Sequence, residues 1–251
     1  MPDESNKSQL NETLRAAAED GDPEALSLAI AQGADPRSTE DGEPGSWTPL
    51  MHAAWNGHDE CVRILAPLSD TGMNTWDGDT ALMLASEGGH TQCVLELLPF
   101  SDTGIADERG KTALMVAAEE GNDECVRALL PHADPSLACH GGMTALSYAA
   151  MNGNLDCLAS LLPVSDANSQ DAQGMTAIMY ATQHPECVEL LLPFSDLLLT
   201  DKESRTAEDW ADETPESLAM IRAVSRARTE NRALSSVGKG LSPGKGRVQS
   251  P

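Results

Sequence analysis

Aromatic residues make up only 3% of this 251-residue chain, and its 16 basic side chains face 40 acidic ones, a formal charge of −24. Each scarcity excludes something. A core assembled from Ala, Leu, Met and Cys suits thin, closely stacked helices better than a sheet sandwich or barrel, whose cores draw on bulkier side chains. Excess negative charge repels a phosphate backbone, so direct nucleic-acid binding by the folded part is not expected. No run approaches the 18 or so apolar residues of a membrane-spanning helix. The opening MPDESNKSQLNE lacks the charged-then-apolar pattern of a signal peptide, so a cytoplasmic location is expected. Also missing are CxxC pairs, Cys/His sets at zinc spacing, a P-loop, HExxH, GxSxG and a kinase set. No enzyme, metal or cofactor is therefore expected.

What is present is a period of 32. Thr48, Thr80, Thr112, Thr144 and Thr176 each open a unit, and Cys61, Cys93, Cys125 and Cys157 keep the same step, with Cys187 following after 30. The units read TPLMHAAWNGHDECVRILAPLSD, TALMLASEGGHTQCVLELLPFSD, TALMVAAEEGNDECVRALLPHAD, TALSYAAMNGNLDCLASLLPVSD and TAIMYATQHPECVELLLPFSD. A diverged earlier copy starts near Leu14, and a degenerate last one begins TAEDWA at Thr206.

Each unit predicts two short helices. Thr is a good N-cap. Apolar residues then recur at helical spacing, as at Leu82, Ala85, Val94, Leu97 and Leu98. Gly57, Gly89, Gly121 and Gly153 stand where the chain must reverse with positive φ. Pro67, Pro99, Pro131, Pro163 and Pro193 end the second helix. Small Ala53, Ala54, Ala117, Ala118, Ala149 and Ala150 allow close helix approach, and the Asp/Gly/Asn-rich remainder reads as turn.

This pattern resembles the ankyrin repeat family on Thr48-Pro49-Leu50, Ala53-Ala54, Asn56-Gly57-His58 and Gly33-Ala34-Asp35. The resemblance implies an all-α solenoid of about six repeats plus a C-terminal cap over 12–226, with repeats starting near 12, 48, 80, 112, 144 and 176 and the cap from 206. Residues 1–11 and 227–251 are expected to be disordered ends, the latter basic. Charge divides accordingly: residues 1–221 carry net −30 and 222–251 net +6.

Three departures from the family pattern stand out. Met51, Met83, Met115 and Met179 replace the His that usually follows Thr-Pro-Leu, so the customary hydrogen bond there should give way to packing. Pro-x-Ser-Asp replaces Gly-Ala-Asp after most second helices. The sixth unit lacks two residues around His184 and Pro185, where the stacking should change locally.

In such a stack, equivalent cysteines lie about 8–10 Å apart, beyond the roughly 7 Å disulfide limit, so they are expected as buried, reduced thiols. Cys139, beside His140 in a predicted hairpin, is the expected exception. His58 and His90 suit structural hydrogen bonds, His52 a packed position, and Trp210 the core of the cap.

The resemblance further implies a concave binding surface of hairpin tips and first-helix ends. On this chain that surface comprises Trp47 and Trp55, then Trp76, Asp77, Asp79 and Glu87, then Glu108, Arg109, Lys111, Glu119 and Glu120, and finally His140, Met143, Met151 and Asn152. Trp55 aligns with Glu87, Glu119 and Met151, so that position varies as a surface does. Exposed aromatics beside acids are what binding hot spots are made of, although Trp47 and Trp76 also suit simple packing over hairpin backbones. The implied function is non-catalytic binding of a protein partner, one with a basic surface fitting the charge, by a monomer. The alternative is an acidic inhibitor that masks a basic surface of a nucleic-acid-binding or toxin-like protein.

Overall fold

A computed structural model describes residues 4–40, 42–43 and 45–238. Among them fourteen α-helices follow in antiparallel pairs, with no strands. α1 (Glu4–Asp20) and α2 (Pro23–Ala31) form the first pair, α3 (Pro49–Trp55) and α4 (Asp59–Leu65) the second. Next come α5 (Ala81–Glu87) with α6 (Thr91–Leu97), α7 (Ala113–Glu120) with α8 (Asp123–Leu129), and α9 (Ala145–Met151) with α10 (Leu155–Leu161). The sixth pair is α11 (Ala177–Tyr180) and α12 (Pro185–Leu191), and the cap is α13 (Ala207–Trp210) and α14 (Pro215–Gly238).

The 32-residue register becomes a stack of similar layers. Ala53, Ala85, Ala117, Ala149 and Ala181 are fully buried where first helices meet, and Leu65, Leu97, Leu129, Leu161 and Leu191 fill the second row. All six cysteines are buried and unpaired. Thr hydroxyls accept the N3 amide of the first helices, as from Met51 to Thr48 and from Met83 to Thr80, both at 3.3 Å. The loss of the family histidine does not abolish the hydrogen bond at that site in the second unit. The Met51 sulfur accepts the Thr48 amide at 3.4 Å, and in the fifth unit Ser147 meets the Thr144 hydroxyl at 3.2 Å.

Between layers, the residue preceding each second helix reaches back to the end of the previous first helix. His58 Nε2 bonds Glu19 O at 2.9 Å and His90 Nε2 bonds Trp55 O at 2.9 Å. Asn122 donates to Ser86 O and Glu87 O, Asn154 to Ala118 O and Glu119 O, and His184 bonds Met151 O at 3.2 Å. The turn glycines make room for this ladder: at Gly57, φ +75°, an added Cβ would lie 2.5 Å from His90 Nδ1. The two-residue deletion of the sixth unit is absorbed by a 3₁₀ turn at Ala181–Gln183, and His184 keeps its rung.

Both ends differ from the expected disorder. α1 starts at Glu4, so residues 4–11 are helical: Leu10 packs on the core, Asn11 accepts the Asp35 amide at 2.8 Å, and Lys7 lies 3.9 Å from Asp35. An anchored helix extends without a second nucleation cost, which outweighs the polar composition. At the other end α14 continues to Gly238, because the Arg228 guanidinium donates to the carbonyls of Leu192 and Ser195 at 2.7 Å and ties residues beyond 226 to α12. The rest of the expected tail, 239–251, lies outside the described residues.

Candidate functional site

The loops before α5, α7 and α9 are hairpins closed by bridges, Asn74 with Thr80, Ala106 with Thr112 and Ala138 with Thr144. One position organises them. Asp107 Oδ1 accepts the amides of Arg109 and Lys111, and Asp171 and Asp201 repeat the arrangement 64 and 94 residues later. Successive hairpins are zipped by Glu108 N to Asp77 O at 3.0 Å and His140 N to Arg109 O at 2.9 Å. Hairpin tips and first-helix ends therefore share one rigid face.

Cys139 occupies the Asp107 position in the fifth unit, and this corrects its expected exposure. It is buried, with its sulfur accepting the Tyr148 hydroxyl at 3.5 Å. A thiol cannot take the two hairpin amides that a carboxylate takes, so the side chain turns inward.

On the face of hairpin tips and first-helix ends a cavity of about 370 Å³ is lined by Asp77, Asp79, Glu87, Asp107, Glu108, Glu119 and Glu120, with Arg109, Lys111 and Val116. All eight charged residues expected from the third and fourth units meet here. Asp107 and Val116 were missed, although Asp107 repeats in register. Seven carboxylates face two cations, and one cation is already engaged. Lys111 is only 8% exposed, pairs with Glu119, and sits 4.8 Å from the centre of the Tyr148 ring. Among the described residues Arg109 has no ion pair within 4 Å. Burial, and then the repulsion of Asp107 and Asp77, push the Asp79 carboxyl above its ordinary range; burial followed by Asp79, Glu120 and Glu119 does the same to Glu87. The cavity thus holds unneutralised negative charge at a cost.

Trp47 and Trp55 stand one unit away, whereas Trp76 directly precedes Asp77 on the hairpin that lines the cavity. Trp55, 41% exposed, meets Trp47 edge to face at 6.0 Å and 82°, and Trp47 lies 5.1 Å from the His52 ring. Burial lowers the His52 pKa, consistent with a neutral packed ring. Trp76 lies over Gly45, whose added Cβ would sit 2.8 Å from the indole, yet the residue remains 68% exposed. His140 and Asn152 are exposed and Met143 and Met151 half-buried, away from the cavity wall. Asn152 turns its amide onto Tyr148 O at 3.1 Å. Trp210 is partly buried in the cap, as expected, and donates to Asp201 at 2.9 Å under the Arg205 guanidinium. Among the described residues no three potential metal ligands converge, and no helix is long and apolar enough to cross a membrane.

Layered helix pairs joined by zipped hairpins define an ankyrin-type repeat array, and comparison with known proteins agrees. The family model for ankyrin repeats in three copies matches residues 14–107, 88–171 and 152–225. The chain belongs to the ankyrin repeat family, whose domains are generally protein–protein interaction modules and typically non-catalytic. Among solved structures it is similar to the ankyrin repeat domain of Bcl-3, described as a unique member of the IkappaB family, with 24% identity and a TM-score of 0.73 over 84% of this chain and 97% of that one. It is also similar to the human ASB11 ankyrin repeat domain, with 22% identity and a TM-score of 0.73 over 84% of this chain and 96% of that one. At these identities the likeness is one of fold. No curated protein sequence matches the chain significantly.

Proposed function

We propose that the concave face of the second to fifth units binds a protein partner by taking a Lys or Arg side chain into the carboxylate cavity, with an apolar group resting on Trp47 and Trp55. The observation that carries this reading is the excess of seven carboxylates over two cations in one hollow, two of them pushed upward in pKa. An incoming cation relieves that repulsion, and the zipped hairpins present the site without reordering. The indole pair supplies apolar area and cation–π attraction.

Trp55→Ala and Glu87→Gln test this by capture of partners from native lysate. Each should weaken binding at least tenfold, about 1.4 kcal/mol, without lowering the unfolding midpoint. Glu119→Ala is unsuitable, because it would strand the buried Lys111 charge. Normal binding by both variants would sink the groove reading. The net −30 of residues 1–221 also favours a second reading, an acidic mask over a basic surface. A mask should lose affinity steeply and remain indifferent to Trp55→Ala as the Debye length falls from about 10 Å at 0.1 M to about 3 Å at 1 M salt.

A further inference from the structure

The Pro-x-Ser-Asp departure forms an edge of its own immediately after the second helices, and none of its residues lines the groove cavity. Its x residues are Leu68, Phe100, Val164 and Phe194, with His132 at the same place in the Pro-His-Ala-Asp of the fourth unit. The four apolar ones are 43–56% exposed, so the core does not require them. A solvent-facing position should drift, and a neighbouring one on the second helices does, running Arg63, Leu95, Arg127, Ala159 and Glu189. The x position nevertheless stays apolar in four units of five. Its backbone is fixed as well: Thr71 donates to Phe100 O at 2.6 Å, Thr103 to His132 O at 2.8 Å and Asn168 to Phe194 O at 3.2 Å.

Two residues further on runs a parallel row of exposed carboxylates, Asp70, Asp102, Asp134, Asp166 and Asp196. Each uses Oδ1 to accept the amide two positions ahead, at 2.9–3.1 Å. Among the described residues none of the five lies in an ion pair. The edge is therefore an apolar seam flanked by a line of negative charge.

We infer that this edge is a second docking surface, and that its occupant is a basic amphipathic α-helix of a partner protein. The spacing selects the helix. Layers repeat about every 8–10 Å, and residues i and i+7 of a helix lie about 10.5 Å apart on one face. A strand covering the same step in three residues would turn alternate side chains away. The Asp row selects Lys or Arg beside the apolar seam, and it opposes a second copy of the same edge, since Asp would then face Asp.

The test uses the full chain and a fluorescent 28-residue helical peptide with Leu at every seventh position and Lys three and four places after each. A sister peptide carries Glu for Lys. Anisotropy at 0.1 M salt should show binding of the Lys peptide only. Phe100→Ser with Phe194→Ser should weaken it at least tenfold at an unchanged unfolding midpoint. Asp102→Asn with Asp166→Asn should also weaken it, because Asn still accepts the turn amide and only the charge is lost. Trp55→Ala and Glu87→Gln should leave it unchanged, which separates this surface from the groove. Four results would overturn the inference: no binding of the Lys peptide, equal binding of the Glu peptide, indifference to the edge variants, or sensitivity to the groove variants. Sedimentation velocity adds a fifth, a dimer that becomes monomeric on Phe100→Ser with Phe194→Ser, which would assign the edge to a second copy.

Discussion

Replacing Asn122 with Ala removes one rung of the interlayer ladder, and its cost follows from what the rung holds. The Asn122 amide donates to Ser86 O at 2.8 Å and Glu87 O at 2.9 Å, at the end of α5, where helix carbonyls run out of intrahelical donors and Ser86 O otherwise takes a long bond from Gly89 N at 3.4 Å. Two bonds worth about 0.5–1.5 kcal/mol each give an expected loss of about 1–3 kcal/mol. The chain supplies its own control, since His58, His90 and His184 hold the same place with one bond each. Asn122→His should therefore cost about one bond, roughly half of the loss for Ala. Gly89 adds a second control. It has φ +69°, and a Cβ there would lie 2.8 Å from Asn122 Oδ1, so Gly89→Ala combines backbone strain with displacement of the same rung. Gly89→Ala and Asn122→Ala together should cost less than the sum of the two alone, because the rung is lost once. Urea unfolding at constant m-value measures all four variants. Equal losses for Asn122→His and Asn122→Ala, or strict additivity with Gly89→Ala, would refute the ladder as the coupling between layers.

Other outcomes are expected on the same reasoning. Leu114→Ala, emptying a side chain that is fully buried in a central layer, should cost about 2–5 kcal/mol in the same urea assay. All six thiols should resist alkylation in the native protein, Cys139 included, since they are buried and burial pushes Cys61 up to about 11 and Cys93 and Cys157 up to about 12; mass spectrometry showing any site modified ahead of unfolding would contradict this. Glu87→Gln should raise the unfolding midpoint at neutral pH. The folded Glu87 carboxyl titrates above its ordinary value, so stability falls as pH rises through that window, and the gain from Gln should vanish below the ordinary carboxylate range.

The parts of this protein that repeat were legible, because a residue repeated in register has to satisfy the same packing in every layer. Buried Leu82, Ala85, Val94 and Leu97 were readable from spacing alone, and so was the structural role of His58 and His90. Readings failed where one unit departs from its neighbours or where two loops meet. Cys139 looked like an exposed hairpin thiol, yet its register partners Asp107, Asp171 and Asp201 marked the position as the organiser of the hairpin, and that comparison was available in the sequence. Lys111 offered no such signal. A lysine is almost never buried unless paired, and its partner Glu119 becomes adjacent only once the hairpin folds onto α7. The same folding decides which acids matter, because composition shows 40 of them but not that half-buried Asp79 and the more exposed Glu87 stand beside further carboxylates that raise both. Charge can be counted along a chain, whereas its cost depends on how many like charges the turns bring to one place. In this array the turns gather them on the groove, where Lys111 offsets only part of the repulsion, and a bound cation would offset more.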